Sequence, residues 1–326
     1  MAGCASLSRA WRAARAAATA AGSAPVPVPL GFGCTDPSIA GAFNDHLSGT
    51  LAALAAQGAD YHAVATVENL DLRDVQVPGL PPGVPFEING VPALLVALDR
   101  DVILARDHDV SASPAIFPCA RPSVNGCNYQ AFAQATTPVG SLAIERGFVA
   151  VDARVDDTDH RFVNTHLEVH DLDPTNPLSS FFQAAQAAEL IQTLALTTPG
   201  DRTLILVGDI NSSPDHLGVP GPLPLPTPFD QGIVTPYLQF VLSGYADIWT
   251  LGPAAAADGF TCCQASDLSN ATSQLDERID MIFAGELPTA VKDAEVVGDQ
   301  VKDKTPPPGP ALWPSDHAAV EAEFAF

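Results

Sequence analysis

Residues 147–169 read Gly147-Phe148-Val149-Ala150-Val151-Asp152-Ala153-Arg154-Val155, then Asp156-Asp157-Thr158-Asp159, then His160-Arg161-Phe162-Val163-Asn164-Thr165-His166-Leu167-Glu168-Val169. Two runs rich in β-branched and aromatic residues flank a polar tip, which is the signature of a β-hairpin. Strand side chains alternate, so Val163, Thr165, Leu167 and Val169 face one way and Asn164, His166 and Glu168 the other. Downstream, Pro177 opens an Ala-, Phe- and Leu-rich helix that runs to about Leu196 and stops near Pro199-Gly200. Leu204 to Val207 is then a wholly apolar strand of the buried kind, ending at Gly208-Asp209. This alternation of strands and helices implies an α/β domain whose sheet is covered by helices.

Outward from that centre, residues 34–326 read as one domain and residues 1–33 as a leader outside the fold. Arg9, Arg12 and Arg15 precede the alanine-rich run from Ala16 to Ala21, but no leucine-rich segment follows, so the leader is a poor secretory signal. Asp36 as N-cap with Pro37 at the first helical position predicts a helix ending at Gly58. Ile39, Phe43, Leu47, Leu51 and Leu54 form its apolar face. Tyr61 to Val67, Val91 to Leu98 and Asp101 to Ala105 read as strands, with a Pro/Gly-rich loop between the first two that ends at Pro85. A proline-rich loop spans Pro214 to Pro236, a helix continues through Leu242, and Ala318 to Phe326 is the last strand.

Composition narrows the function. With 47% hydrophobic and 16% charged residues, the 326-residue chain can bury a substantial core. Fifteen basic against 38 acidic residues give a net charge of -23, which disfavours tight contact with nucleic acid and leaves small phosphate esters as the preferred partners. No apolar run is long enough to span a membrane. Cys119 and Cys127 bracket a loop short enough for a disulfide, and the even cysteine count points to an extracellular setting. Cys262 and Cys263 are adjacent and are expected to pair elsewhere, with Cys34 a candidate. The plainer alternative is that all the cysteines are reduced core residues. No Cys-x-x-Cys pair occurs, which argues against a structural zinc site.

Four polar motifs sit in or just after apolar runs: Asn164-Thr165-His166, Gly208-Asp209-Ile210-Asn211, Arg278-Ile279-Asp280 and Ser315-Asp316-His317. Each has a plainer reading. Gly-Asp-x-Asn serves as an Asx turn, His166 as a hydrogen-bonded core histidine, and Ser-Asp-His as a turn before the last strand. Asp280 is different, because a carboxylate in an apolar strand is costly unless paired, and Arg278 and His317 are the candidate partners. Together the motifs supply two imidazoles, carboxylates and an amide, an inventory suited to water attack on a phosphate ester.

The order of these motifs resembles the endonuclease/exonuclease/phosphatase superfamily, as do Arg146-Gly147-Phe148, Gly244-Tyr245-Ala246-Asp247-Ile248-Trp249 and Trp313-Pro314. The resemblance runs from about residue 50 to the C-terminus. It implies an α/β/β/α sandwich of four layers, with two mixed β-sheets packed face to face. It also implies roles: His166 on the phosphate, Asp209 and Asn211 orienting the water and a phosphoryl oxygen, and Asp316 on a metal. His317 would act as base or electrostatic partner, its tautomer set by Asp280. The metal implied is Mg²⁺ or a similar hard cation. Family members open with a strand carrying an active-site Asn and a segment ending in a metal-binding Glu. Neither is found at its place here, so the chain is expected to be truncated at its N-terminus and its activity impaired. The other class of function is a non-catalytic chain that binds a phosphorylated ligand through His166, Asn211 and His317. A zinc hydrolase using His166 and His170 is excluded by strand geometry, which separates them by roughly 13 Å.

Overall fold

In the hairpin that organises the molecule, successive residues of one strand are buried on opposite faces. The computed structural model describes residues 45–326 apart from 74, 89–90, 107–109, 138–139, 156, 171–176 and 306–308. Helix α1 (His46–Ala56) leads into β1 (Tyr61–Asp71), the hairpin β2 (Val84–Ile88) and β3 (Val91–Leu95), and then β4 (Leu98–Arg106) and β5 (Ser111–Pro114). Short strands β6 (Pro122–Ser123) and β7 (Gly126–Asn128) precede a second hairpin, β8 (Ala133–Thr137) and β9 (Gly140–Ile144). The central hairpin is β10 (Gly147–Val155) and β11 (Thr158–His166), followed by α2 (Leu178–Thr197) and β12 (Thr203–Asp209). After β13 (Val219–Pro220) and β14 (Gly232–Ile233) come α3 (Pro236–Leu242), β15 (Ala246–Asp247), β16 (Asp280–Ala284), β17 (Ala290–Val297) and β18 (Ala319–Ala325).

Among the described residues, eight strands form the main sheet, in the order β15-β16-β12-β11-β10-β7-β6 with β5 also on β10. It is mixed, since β11 and β12 run parallel while β10 with β11 and β12 with β16 run antiparallel. Phe148 and Ala150 of β10 join Val163, Leu206 and the α2 residues Leu190 and Leu194 in one core. Val149, Val151 and Ala153, at the alternate positions, pack against Ala65 and Val67 of β1 and Ile103 of β4. The antiparallel β1–β4 pair therefore lies face to face with the main sheet, and α1 contacts β1. The four layers expected from the resemblance are the α2 side, the main sheet, the β1–β4 layer and α1.

Local chemistry explains the element ends. Asp45 caps α1 by accepting from Leu47 N at 3.1 Å. Leu47, Leu51 and Leu54 are its half-buried stripe, and no residue of this helix is fully buried. The expected start at Asp36-Pro37 lies outside the described residues. The expected strand from Val91 to Leu98 is instead divided between β3 and β4, because the chain turns at Val96-Ala97 and Ala97 O accepts from Leu72 N. Cys119 and Cys127 form a disulfide with Cα atoms 6.0 Å apart, within the usual range. Cys262 and Cys263 bond to each other rather than to a distant cysteine, with Cα atoms 3.1 Å apart across a cis peptide. Cys34 lies outside the described residues. No described helix is long and apolar enough to cross a membrane.

Gly208 is required by packing. It has φ +143°, and a Cβ there would overlap the carbonyl oxygen of Thr165 on the neighbouring strand. Backbone cannot rotate away as a side-chain tip can. Gly208→Ala is expected to cost about 1–3 kcal/mol through backbone conformation alone, and more as β11 and β12 are forced apart. Thermal unfolding checks this: an unchanged melting temperature would contradict it.

Candidate active site

Three adjacent strands end in functional residues at one level of the sheet. His166 is the register partner of Asp209 across β11 and β12, and Asp209 is the register partner of Asp280 across β12 and β16. His317, just before β18, closes on this row through Nδ1, 2.9 Å from Asp280 Oδ2 and 4.0 Å from Asp209 Oδ2. His166 Nε2 stands 3.4 Å from the same Asp209 oxygen. These four side chains each keep between 16% and 28% of their surface exposed, so a ligand can reach them from solvent.

The protonation states follow from the partners. Arg146 Nη1 lies 3.0 Å from His166 Nδ1. A guanidinium only donates, so Nδ1 must be the acceptor and Nε2 carries the proton of a neutral ring. Burial first, then the charges of Arg146 and His317, hold His166 well below the ordinary imidazole range. Burial would also lower His317. The hydrogen bond to Asp280 and the charges of Asp209, Asp280 and Asp316 override it and hold His317 at about 9. Asp209 is raised, by burial and then by the charge of Asp280. One end of the row therefore carries a neutral donor and the other a cation, with two carboxylates between.

Arg146 was not among the expected site residues, although it belongs to the Arg-Gly-Phe segment of the resemblance. It is buried and stands between His166 and Asp99, whose Oδ2 is 3.5 Å from Nη1. Arg146→Met is expected to let the His166 pKa rise, because it removes a cation 3.0 Å from the ring. A histidine NMR titration checks this, and an unmoved His166 resonance would count against it. Thr261 is a second unforeseen residue. Fully buried, its Oγ1 accepts from the backbone N of Ile279 and Asp280, which aims the Asp280 carboxylate.

The two candidate partners of Asp280 separate cleanly. Asp280 takes His317, while Arg278 forms a bidentate pair with Asp247 at 2.7 and 3.1 Å. Asn211 adopts φ +50° and donates its N–H to Asp209 Oδ1 at 2.8 Å, so the Asx turn is present as well. The turn occupies Oδ1 and leaves Oδ2 facing the imidazoles. Asn211 Nδ2 is anchored on Leu167 O at 2.9 Å. His170 is not beside His166 but stacks on His216, with ring centroids 4.4 Å apart. Asp209, Asp280 and His317 present ligand atoms within 4.8 Å of one another. Asp316 is not a member of that group, and its backbone carbonyl accepts from Gln264 N.

These features define a layered α/β protein with a polar centre at the carboxyl ends of parallel strands β11 and β12. A sequence model of the Endonuclease/Exonuclease/phosphatase family matches residues 31–317, and the chain belongs to that family. The members of this family are phosphoric ester hydrolases, and they generally use divalent cations. Among solved structures the chain is similar to a mannosyl-6-phosphatase of Bacteroides thetaiotaomicron, at 18% identity over 86% of this chain and 82% of that one, with TM-score 0.49. It is also similar to D. rerio TDP2 complexed with single strand DNA product, at 15% identity over 86% and 92% of the two chains, with TM-score 0.44. No curated protein matches the chain.

Proposed function

We propose that the protein hydrolyses a phosphoric monoester or diester by attack of an activated water, with a hard divalent cation such as Mg²⁺. The observation that carries this reading is the row of His166, Asp209 and Asp280, closed by His317. Asp209, with Oδ1 held by the Asn211 turn, takes the proton of the attacking water on Oδ2. A raised pKa makes this carboxylate a better base than an exposed one. Neutral His166 donates from Nε2 to a phosphoryl oxygen. His317, kept protonated by Asp280, balances the negative charge that develops on the phosphoryl group.

Burial and then the charge of Asp280 raise Asp209, and Asp316 adjoins His317 in the chain. Such an oxygen-rich donor set fits a hard cation better than a soft one. Asp209 and Asp280, whose ligand atoms converge, would hold it, with Asp316 reaching in as a further carboxylate, and it would neutralise charge on the phosphate. The net charge of -23 favours small phosphate esters over polynucleotides. The Cys119–Cys127 disulfide supports an extracellular setting.

The test is release of nitrophenol from bis-nitrophenyl phosphate with and without Mg²⁺, using Asp209→Asn as the control. Metal-dependent turnover in the parent chain only is the expected result. Binding of inorganic phosphate by calorimetry with no turnover of a phosphate-ester panel would overturn the enzyme and favour a phosphate-binding protein.

A further inference from the structure

Beside the hydrolytic row lies a second set of donors that shares only His317 with the proposed reaction. Cys263 Sγ is 3.8 Å from His317 Nε2, and Cys262, Cys263 and His317 offer ligand atoms within 4.8 Å of one another. We propose that these three residues, with the cysteines as a dithiol, form a site for a soft divalent cation such as Zn²⁺ that competes for the imidazole of the hydrolytic centre.

Donor geometry and chemistry agree. With Zn–S near 2.3 Å and Zn–N near 2.1 Å, two ligands of a tetrahedral ion lie about 3.6 Å apart. The observed sulfur-to-nitrogen distance of 3.8 Å needs little adjustment, whereas the two sulfurs, bonded to each other in the structure, must part to about 3.8 Å once reduced. His317 Nδ1 is hydrogen-bonded to Asp280, and a carboxylate behind the ring is the usual support of a metal-binding histidine. The segment carrying the cysteines is held on both sides. Cys262 exchanges backbone hydrogen bonds with Glu277, and Thr261 O accepts from Ala318 N. Two sulfurs and one nitrogen select zinc over magnesium and leave a fourth position for water.

The redox balance is explicit. In the disulfide form neither sulfur is a thiolate ligand. A dithiol reductant is oxidised to its own disulfide and passes two electrons and two protons to Cys262 and Cys263. The incoming cation then displaces both thiol protons and the Nε2 proton of the His317 imidazolium, so three protons leave as it binds. Once the ion is bound, His317 Nε2 is no longer available to a phosphate.

The experiment reads binding and not turnover, so it stands or falls separately from the hydrolase reading. The full chain is reduced with a dithiol, desalted without air and titrated with Co²⁺ while thiolate-to-cobalt absorption is followed in the near ultraviolet. A band that saturates in a single step, is abolished by Zn²⁺ and is untouched by Mg²⁺ is expected. It should be absent from the air-oxidised protein, absent from Cys263→Ser, and formed at least about tenfold more weakly by His317→Gln. No band in the reduced protein would overturn the proposal. So would a band that survives in Cys263→Ser, because it would place the ion on Cys4, Cys34, Cys119 or Cys127. If Cys263→Ser does not fold, the reduced and oxidised parent chains and His317→Gln decide the matter.

Discussion

Replacing His317 with alanine is expected to lower phosphate-ester hydrolysis by about 10²–10³-fold, the usual worth of one donor that stabilises developing negative charge. The more informative variant is Asp280→Asn, because it separates charge from position. Asp280 lies 2.9 Å from His317 Nδ1 and, with its carboxylate neighbours, holds that ring at about 9 against the effect of burial. If the imidazolium is the working form, the rate falls as pH rises through about 9. Removing the charge of Asp280 moves that alkaline limb down towards the ordinary histidine value of about 6.5. Stability follows with the same sign. The folded state binds the His317 proton more tightly than the unfolded chain does. That contribution is fully present below about 6.5 and is lost as pH rises through about 9. Rate profiles and melting temperatures between pH 5 and 10 measure both. An alkaline limb that does not move in Asp280→Asn would remove His317 from the mechanism.

Asp247→Ala should be the most damaging single change to stability, at about 3–5 kcal/mol. Asp247 and Arg278 are both buried and meet through two hydrogen bonds of 2.7 and 3.1 Å. The same carboxylate accepts from Trp249 N and from the Tyr237 hydroxyl. Truncation therefore leaves a guanidinium and two further donors without their acceptor in the protein interior. A double variant, Asp247→Leu with Arg278→Met, should recover part of the loss, because it removes both charges and keeps the volume filled. Urea unfolding measures this through the midpoint at constant slope. A single variant within about 1 kcal/mol of the parent would mean that the pair is solvated and carries little.

Much of the site was legible in the chain because its residues punctuate strongly patterned elements. Alternating burial of Val163 and Thr165 against Asn164 and His166 is a local property of an extended strand, and the structure keeps it. Pro177 and Pro199 bracket α2, and the apolar run before Gly208 is the centre of β12. Other strands carried no such pattern. In Ala290–Val297, Lys292, Asp293 and Glu295 interrupt the apolar residues, and the strand forms because it pairs with β18 along its length. The cysteine pair misled for another reason. Adjacency argues for distant partners, whereas in the structure Cys262 and Cys263 bond to each other.

Residue types alone named the candidates for the centre: imidazoles at His166 and His317, carboxylates at Asp209 and Asp280, and an amide at Asn211, whose Nδ2 the structure engages with Leu167 O. Register delivered their contacts. His166, Asp209 and Asp280 are neighbours because β11, β12 and β16 pair at one offset, and a shift of one residue would turn their side chains to the opposite face. The choice of His317 over Arg278 for Asp280, and the neutral tautomer that Arg146 imposes on His166, likewise come from side chains distant in the chain. Periodicity is written locally, residue by residue. Pairing and protonation depend on which charges the packed core brings within a few ångströms.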